Sequence, residues 1–194
     1  MIRAVVLAAG RSRRMGTDKL LLPWAGSTVI AHIVDQVLGS VADRVAVVVG
    51  PEAAAVREAL DGRACTFVTS PEPESEMLES LRCALRTLPS GCTAVLVVLG
   101  DQPGVTAELV DRLVSAGTQS GKGIVVPVYD GRRGHPLLFS AKYRERVLAA
   151  YDDTGLRGLL QEFPDDVLEV PVPSPDVLTD LDTPEDYRRA GGRP

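Results

Sequence analysis

The chain has 194 residues, 45% of them hydrophobic, and a formal net charge of −5. This length suits a single domain over residues 1–194 with one sizeable core, and the acidic balance argues against nucleic acid bound through overall charge. No apolar run reaches the roughly 18 residues that a membrane span needs, and the strand-like start lacks a leader cleavage site, so a soluble cytoplasmic protein is expected.

In chain order, strands are expected at residues 3–7, 44–49, 65–69, 94–99 and 123–128. Runs such as "VAVVV" and "AVLVVL" are apolar without alternation, the pattern of strands covered on both faces. Helices are expected between them, at 28–38, 53–60, 76–88 and 106–116. In the first of these, Val29, Ile30, Ile33, Val34, Val37 and Leu38 follow the i, i+3, i+4 spacing of an amphipathic helix. Strand and helix in alternation predict an α/β fold of three layers, a mostly parallel central sheet with helices on both faces. The proline-rich stretch 171–175 reads as a surface connection. Cys65, Cys83 and Cys92 cannot all pair with one another; they read as reduced thiols acting as small buried hydrophobes.

Such sheets bind ligands beyond the carboxyl ends of their strands, beside a topological switch point. The first strand runs into "LAAGRSRRMGTDK", residues 7–19, where Arg11, Arg13, Arg14 and Lys19 gather against the acidic average. Gly10 and Gly16 free the backbone, and Ala8 and Ala9 leave room for a ligand to lie on main chain. Loop N–H groups with Arg and Lys beside them suit a polyphosphate; the plainer reading is a solvated basic loop. The spacing matches neither G-x-x-x-x-G-K-[ST] nor G-x-G-x-x-G, which disfavours a P-loop ATPase and a nicotinamide-dependent dehydrogenase.

The fourth strand ends in "GDQP", Gly100 to Pro103, and should share a cleft with the basic loop. A carboxylate closing an apolar strand is costly unless a cation meets it. Mg²⁺ fits, since it takes few carboxylates and completes its shell from water and phosphate. Alternatively Asp101 caps the next helix, although Thr106 is itself a good cap. Further on, "LTDLDTPEDY" contains Thr183-Pro184, an ordinary helix start; Asp180 and Asp182 precede it and share one side of an extended segment. His135, in "GRRGHPLLF", is either a hydrogen-bonded structural residue or exposed in a cleft at the Gly134–Pro136 turn; His32, inside the first helix, reads as structural.

"LAAGRSRRMGTDKLLLPWAG" resembles the signature of nucleotidyltransferases with a Rossmann-like fold. It is most similar to that of the molybdenum cofactor cytidylyltransferases and their guanylyltransferase relatives. The resemblance implies that Leu7, Ala8, Ala9 and Gly10 contact base and phosphates through main chain, and that Arg14 and Lys19 bind phosphate. It implies that Asp101, beside Gly100, binds the divalent metal, Mg²⁺ or Mn²⁺, with Asp180 as second ligand and Asp182 as the weaker choice. "RGHP" resembles a family motif that implies acceptor contacts from Arg133, Gly134, His135 and Pro136. Gln102 and, in "DDTGLRGLL", Gly155 and Arg157 join that side. In "TSPEPESEMLESL" the chain departs from its relatives: Ser70 stands where an amide or carboxylate reaches the base, and Glu76 replaces a glycine, while Ser80 and Leu81 match.

The implied reaction moves CMP from CTP to the terminal phosphate of molybdopterin, with pyrophosphate as leaving group and a molybdoenzyme or its chaperone as partner. Its nucleophile is already ionised, so alignment and charge neutralisation carry the rate. The competing expectations are a guanylyltransferase using GTP, a sugar-1-phosphate nucleotidylyltransferase, and a non-catalytic nucleotide-binding module that delivers cofactor.

Overall fold

Strand β1 (Ile2–Ala8) sends Ala4, Val6 and Ala8 into one buried cluster and Val5 into another. That division explains the continuous apolar run: both faces of the strand are covered. The computed structural model describes residues 1–10, 18–71 and 77–192. A short hairpin, β2 (Pro23–Trp24) and β3 (Ser27–Thr28), turns through Ala25 and Gly26, whose φ values are +46° and +83°. Two successive positive φ values match the twist of a two-residue hairpin loop.

Helix α1 (Val29–Leu38) starts where the Thr28 hydroxyl accepts the Ala31 N–H. Then come β4 (Arg44–Val49), α2 (Ala54–Ala59), β5 (Cys65–Thr69) and α3 (Met77–Arg86). After β6 (Ala94–Leu99), α4 (Ala107–Ser120) begins at Thr106, whose hydroxyl accepts the Leu109 N–H. The cap is therefore Thr106, and Asp101 is left for other work. Helix α4 outruns the expected 106–116 and stops at Gly121, left-handed at φ +69°, where glycine is least strained.

The last third holds β7 (Ile124–Tyr129), β8 (Arg132–Arg133), β9 (Leu137–Ser140), α5 (Arg144–Ala149), α6 (Leu156–Glu162), β10 (Val167–Pro171) and α7 (Pro184–Arg189). The main sheet of the described residues runs β10-β7-β9-β6-β1-β4-β5, with β8 on β7. Strands β6, β1, β4 and β5 are mutually parallel, with Val6 opposite Val98 on one side and Val47 on the other. Strand β9 is antiparallel to both neighbours, and β10 pairs parallel to β7. Residues of α1, α2 and α4 pack into one cluster and those of α3, α5 and α6 into the other. The expected three layers are present, with β9 and β10 as additions.

From β1 the chain builds outward to β4 and β5, then returns to place β6 on the other flank of β1. The loops after β1 and β6 therefore leave the sheet side by side at the switch point. Among the described residues no helix is long and apolar enough to cross a membrane. Cys65, Cys83 and Cys92 are free thiols, half-buried rather than fully buried as expected.

Candidate active site

The loops after β1 and β6 are joined at their roots, where the Gly100 N–H donates to the Leu7 carbonyl at 2.9 Å. A side chain at Gly100 would meet that carbonyl at 2.7 Å, so glycine is required there for the close approach of the two loops. Between the loops lies a cleft of about 250 Å³. Leu7, Ala8, Ala9, Gly10, Lys19, Ser80, Asp101, Asp180 and Asp182 line it, with Leu20, Met77 and Leu99. Both motifs thus share one cleft, and the segment 180–182 from near the carboxyl end joins them.

That segment is held by its middle residue. Leu181 is fully buried, and its N–H donates to the Asp101 carbonyl at 3.1 Å. Side chains alternate along an extended chain, so burying Leu181 turns Asp180 and Asp182 together toward the cleft they line. Behind them, α7 starts with a capping box between Thr183 and Asp186, which fixes where the segment ends.

Among the described lining residues, Lys19 is the one cation against three carboxylates. Its Nζ lies 2.5 Å from Asp101 Oδ2 and 3.1 Å from Asp182 Oδ1. Burial works against the ammonium, but Asp101 and then Asp182 outweigh it and raise the Lys19 pKa. Asp180 is held differently: its Oδ1 accepts a hydrogen bond from Gln102 Nε2 at 2.6 Å. Although Asp180 is an exposed residue, partial withdrawal from water pushes its pKa up; the Gln102 amide pulls it back, and Asp101 and Asp182 add to the rise.

This donor set suits a hard divalent cation. The described lining carries a net charge of −2, and its ligand atoms are carboxylate oxygens at an open cleft. No three such side chains among the described residues form a cage by themselves, so an ion there would complete its shell from water and phosphate, as Mg²⁺ does.

A second cavity, about 510 Å³, opens beside the first, and Met77 lines both. Arg133, Gly134, His135 and Arg157 surround it, over an apolar floor of Val126, Leu137, Leu156 and Leu160. Gly134 is required by packing, since a Cβ there would strike the Val177 carbonyl. The next residue begins a cis peptide to the buried Pro136. Burial lowers the His135 pKa, Asp101 opposing and Arg157 reinforcing the fall. The neutral imidazole is thus favoured, with groups of both sites acting on it. Both arginines are exposed at the cavity, and Arg133 also pairs with Glu169 at 2.7 Å.

Several expected positions fall elsewhere. Arg14, with Arg11 and Arg13, lies outside the described residues, as does Glu76. Ser70 is fully buried, its N–H donating to the Val49 carbonyl, and it is not among the residues lining the cleft. Gln102, expected on the acceptor side, is 2% exposed and faces Asp180 instead. Pro136 is buried and is not among the residues lining the larger cavity. His32 stands 6.3 Å from the Trp24 ring, a packing position. Sequence reasoning missed Met77 and Leu20 in the cleft, and Thr154 and Gln161 in the larger cavity. For the first, the available signal was its place in "EMLESL", one helical turn before Ser80.

Residues 4–167 match the model of the MobA-like NTP transferase domain. The chain belongs to that family. It is a nucleotidyltransferase of the MobA-like type, with the Rossmann-like nucleotidyltransferase fold. Among its relatives, the molybdenum cofactor cytidylyltransferase of Escherichia coli K12 is 25% identical over 193 residues, 99% of this chain and 96% of that protein. The bifunctional protein GlmU of Desulfotalea psychrophila is 31% identical over 111 residues, 56% of this chain; the match spans only 32% of GlmU. The crystal structure of Rv0371c from Mycobacterium tuberculosis superposes with a TM-score of 0.86 at 34% identity, covering 97% of this chain and 95% of that one. A second crystal structure of Rv0371c is a complex with manganese, at 31% identity and a TM-score of 0.78 over 97% and 96% of the two chains.

Proposed function

We propose that this MobA-like domain transfers CMP from CTP to the terminal phosphate of a molybdopterin-type acceptor. The observation that carries the reading is the pair of adjoining cavities. One holds Lys19 with Asp101, Asp180 and Asp182, the other holds Arg157 and His135, and Met77 borders both. The near full-length relationship to a molybdenum cofactor cytidylyltransferase favours CTP and this acceptor over the alternatives.

In this reading, main chain at Leu7, Ala8, Ala9 and Gly10 carries the base and phosphates, with Ser80 on the facing helix. Arg157 and Arg133 draw the anionic acceptor into the larger cavity, and the apolar floor packs against a face of its ring system. An oxygen of the acceptor's terminal phosphate then forms a bond to the α-phosphorus, the bond from the α-phosphorus to its bridging oxygen breaks, and pyrophosphate leaves with that electron pair. Lys19 and Arg14 neutralise charge that builds on the leaving group. His135, neutral and beside the acceptor, orients it by hydrogen bonding and need not take a proton, since the nucleophile is already ionised. Asp101 and Asp180 would hold Mg²⁺ or Mn²⁺, which supplies Lewis-acid polarisation of phosphate oxygens when bound. The whole chain, residues 1–194, serves as one such unit.

The test is turnover. CTP plus molybdopterin should release pyrophosphate and CTP alone should not, and GTP should be the poorer donor in direct competition. Preference for GTP would replace cytidylyl transfer by guanylyl transfer. Release with a sugar 1-phosphate but not with molybdopterin would overturn the acceptor.

A further inference from the structure

Gln102 is 2% exposed, and its Nε2 donates to Asp180 Oδ1 at 2.6 Å. Its Oε1 is also buried and has no hydrogen-bond partner among the described residues. A buried acceptor left unmade costs about 1–3 kcal/mol. Leucine or methionine would fill the same space without that cost, so packing does not account for an amide here. What the amide adds is the N–H donated to a carboxylate 78 positions along the chain.

The geometry points to Gln102 as a positioning residue that holds Asp180 beside Asp101, so that both carboxylates present themselves to one divalent cation. This inference rests on the metal reading of the cleft given above.

The backbone makes the placement stiff. The Gln102 N–H donates to the Leu99 carbonyl at 3.4 Å, and the Gln102 carbonyl accepts from Val105 at 3.3 Å. These bonds fix the turn that also carries Asp101. From the other side, the Leu181 N–H donates to the Asp101 carbonyl at 3.1 Å. Adjacent residues of one turn therefore govern both ligands: Asp101 through the main chain, and Asp180 through the neighbouring amide. Residue length is decisive. Asparagine would fall a methylene short, and glutamate would set a carboxylate against Asp180. Outer partners that orient a ligating side chain typically contribute 10–100-fold to metal affinity.

The experiment titrates Mn²⁺ alone into the full chain and follows the loss of the free-ion EPR signal, with a thermal melt of each variant alongside. Gln102→Leu should melt no lower than wild type, because it removes the orphaned acceptor, yet bind Mn²⁺ at least about tenfold more weakly. Asp180→Asn should show the same loss. The double variant should bind no more weakly than Asp180→Asn, because the amide acts only through that carboxylate. If Gln102→Leu does not fold, Gln102→Met fills the same volume with a more pliable chain. Wild-type Mn²⁺ affinity in the Gln102 variant, with a loss in Asp180→Asn, overturns this inference and leaves the metal reading intact. A further loss in the double variant likewise overturns action through Asp180. Wild-type affinity in Asp180→Asn removes the metal reading at that residue, and the inference falls with it.

Discussion

Replacing Lys19 with methionine should drive two measurements in opposite directions. In the cleft the ammonium sits between Asp101 and Asp182 at 2.5 and 3.1 Å, where it offsets one of three negative charges. Its removal takes the described lining from −2 to −3. A unit charge about 4 Å away is worth about 4 kcal/mol at an effective dielectric near 20. Asp101 keeps 23% and Asp182 51% of its side-chain surface exposed, and solvent screening of that order reduces the effect to about 1 kcal/mol. Mn²⁺ binding without nucleotide should therefore tighten by roughly five- to tenfold. Turnover should fall, because in the proposed reaction the same ammonium meets the charge on the departing pyrophosphate. By analogy with the loss of one oxyanion donor, kcat/KM should drop by roughly 10²–10³. Mn²⁺ titration by EPR and pyrophosphate release read the two quantities on one preparation. A structural lysine would weaken both, and weaker Mn²⁺ binding in the variant would refute this account of the charge balance. Turnover within a factor of three of wild type would remove Lys19 from the chemistry.

Asp101→Ala should abolish most of the gain in CTP affinity that Mg²⁺ gives the wild type; equal gains in both proteins, read by calorimetry, would exclude it as a ligand. Ala9 is 6% exposed, lines the cleft and belongs to the cluster that holds Leu78 and Leu81. Ala9→Gly should shift competition toward GTP and cost about 1 kcal/mol of stability from the lost methyl; unchanged base preference would acquit that methyl. Away from the site, burial of Asp166 is outweighed by Lys142, the Tyr143 hydroxyl and the Gly123 N–H, which bring its pKa from 3.8 to about 2. A carboxylate with a depressed folded pKa stabilises above its unfolded pKa and loses that contribution as pH falls through the folded one. Asp166→Asn should thus cost about 2 kcal/mol near neutral pH, with the deficit shrinking between about pH 4 and pH 2; a deficit constant over that window would refute the linkage.

What could be read from the sequence was whatever depends on near neighbours. Thr28, Thr106 and Thr183 announce helix starts because a cap bonds within three residues of itself. Asp101 could be singled out because a carboxylate closing "VLVVL" is anomalous within a few positions. Strands β9 and β10 could not. Leu137–Ser140 follows Gly134, His135 and Pro136 and reads as the tail of a turn; pairing with β6 on one side and β7 on the other makes it a strand. Val167–Pro171 runs into a proline-rich segment and becomes a strand only by lying along β7 at the sheet edge. The burial of Ser70 was likewise not legible, because it follows from the packing at the end of β5 and not from its neighbours in the chain.

The same distinction separates the charged residues of the cleft. Lys19, Asp101 and the pair Asp180 and Asp182 each stood out locally, but their partnerships did not, because these join segments 78 to 163 positions apart. The pairing is decided by the switch point, which sets the loops after β1 and β6 side by side, and by Leu181, which anchors the returning segment to Asp101. Once these fix the backbone, steric reach assigns the partners. The long ammonium of Lys19 spans to Asp101 and Asp182, and the shorter amide of Gln102 meets Asp180. One carboxylate of the cluster is thus held by a neutral donor that a cation need not displace, whereas Asp101 and Asp182 are held by a charge that a phosphate can draw away. In the proposed reaction, arrival of nucleotide and metal would exchange partners around Lys19 and leave Asp180 on its Gln102 partner.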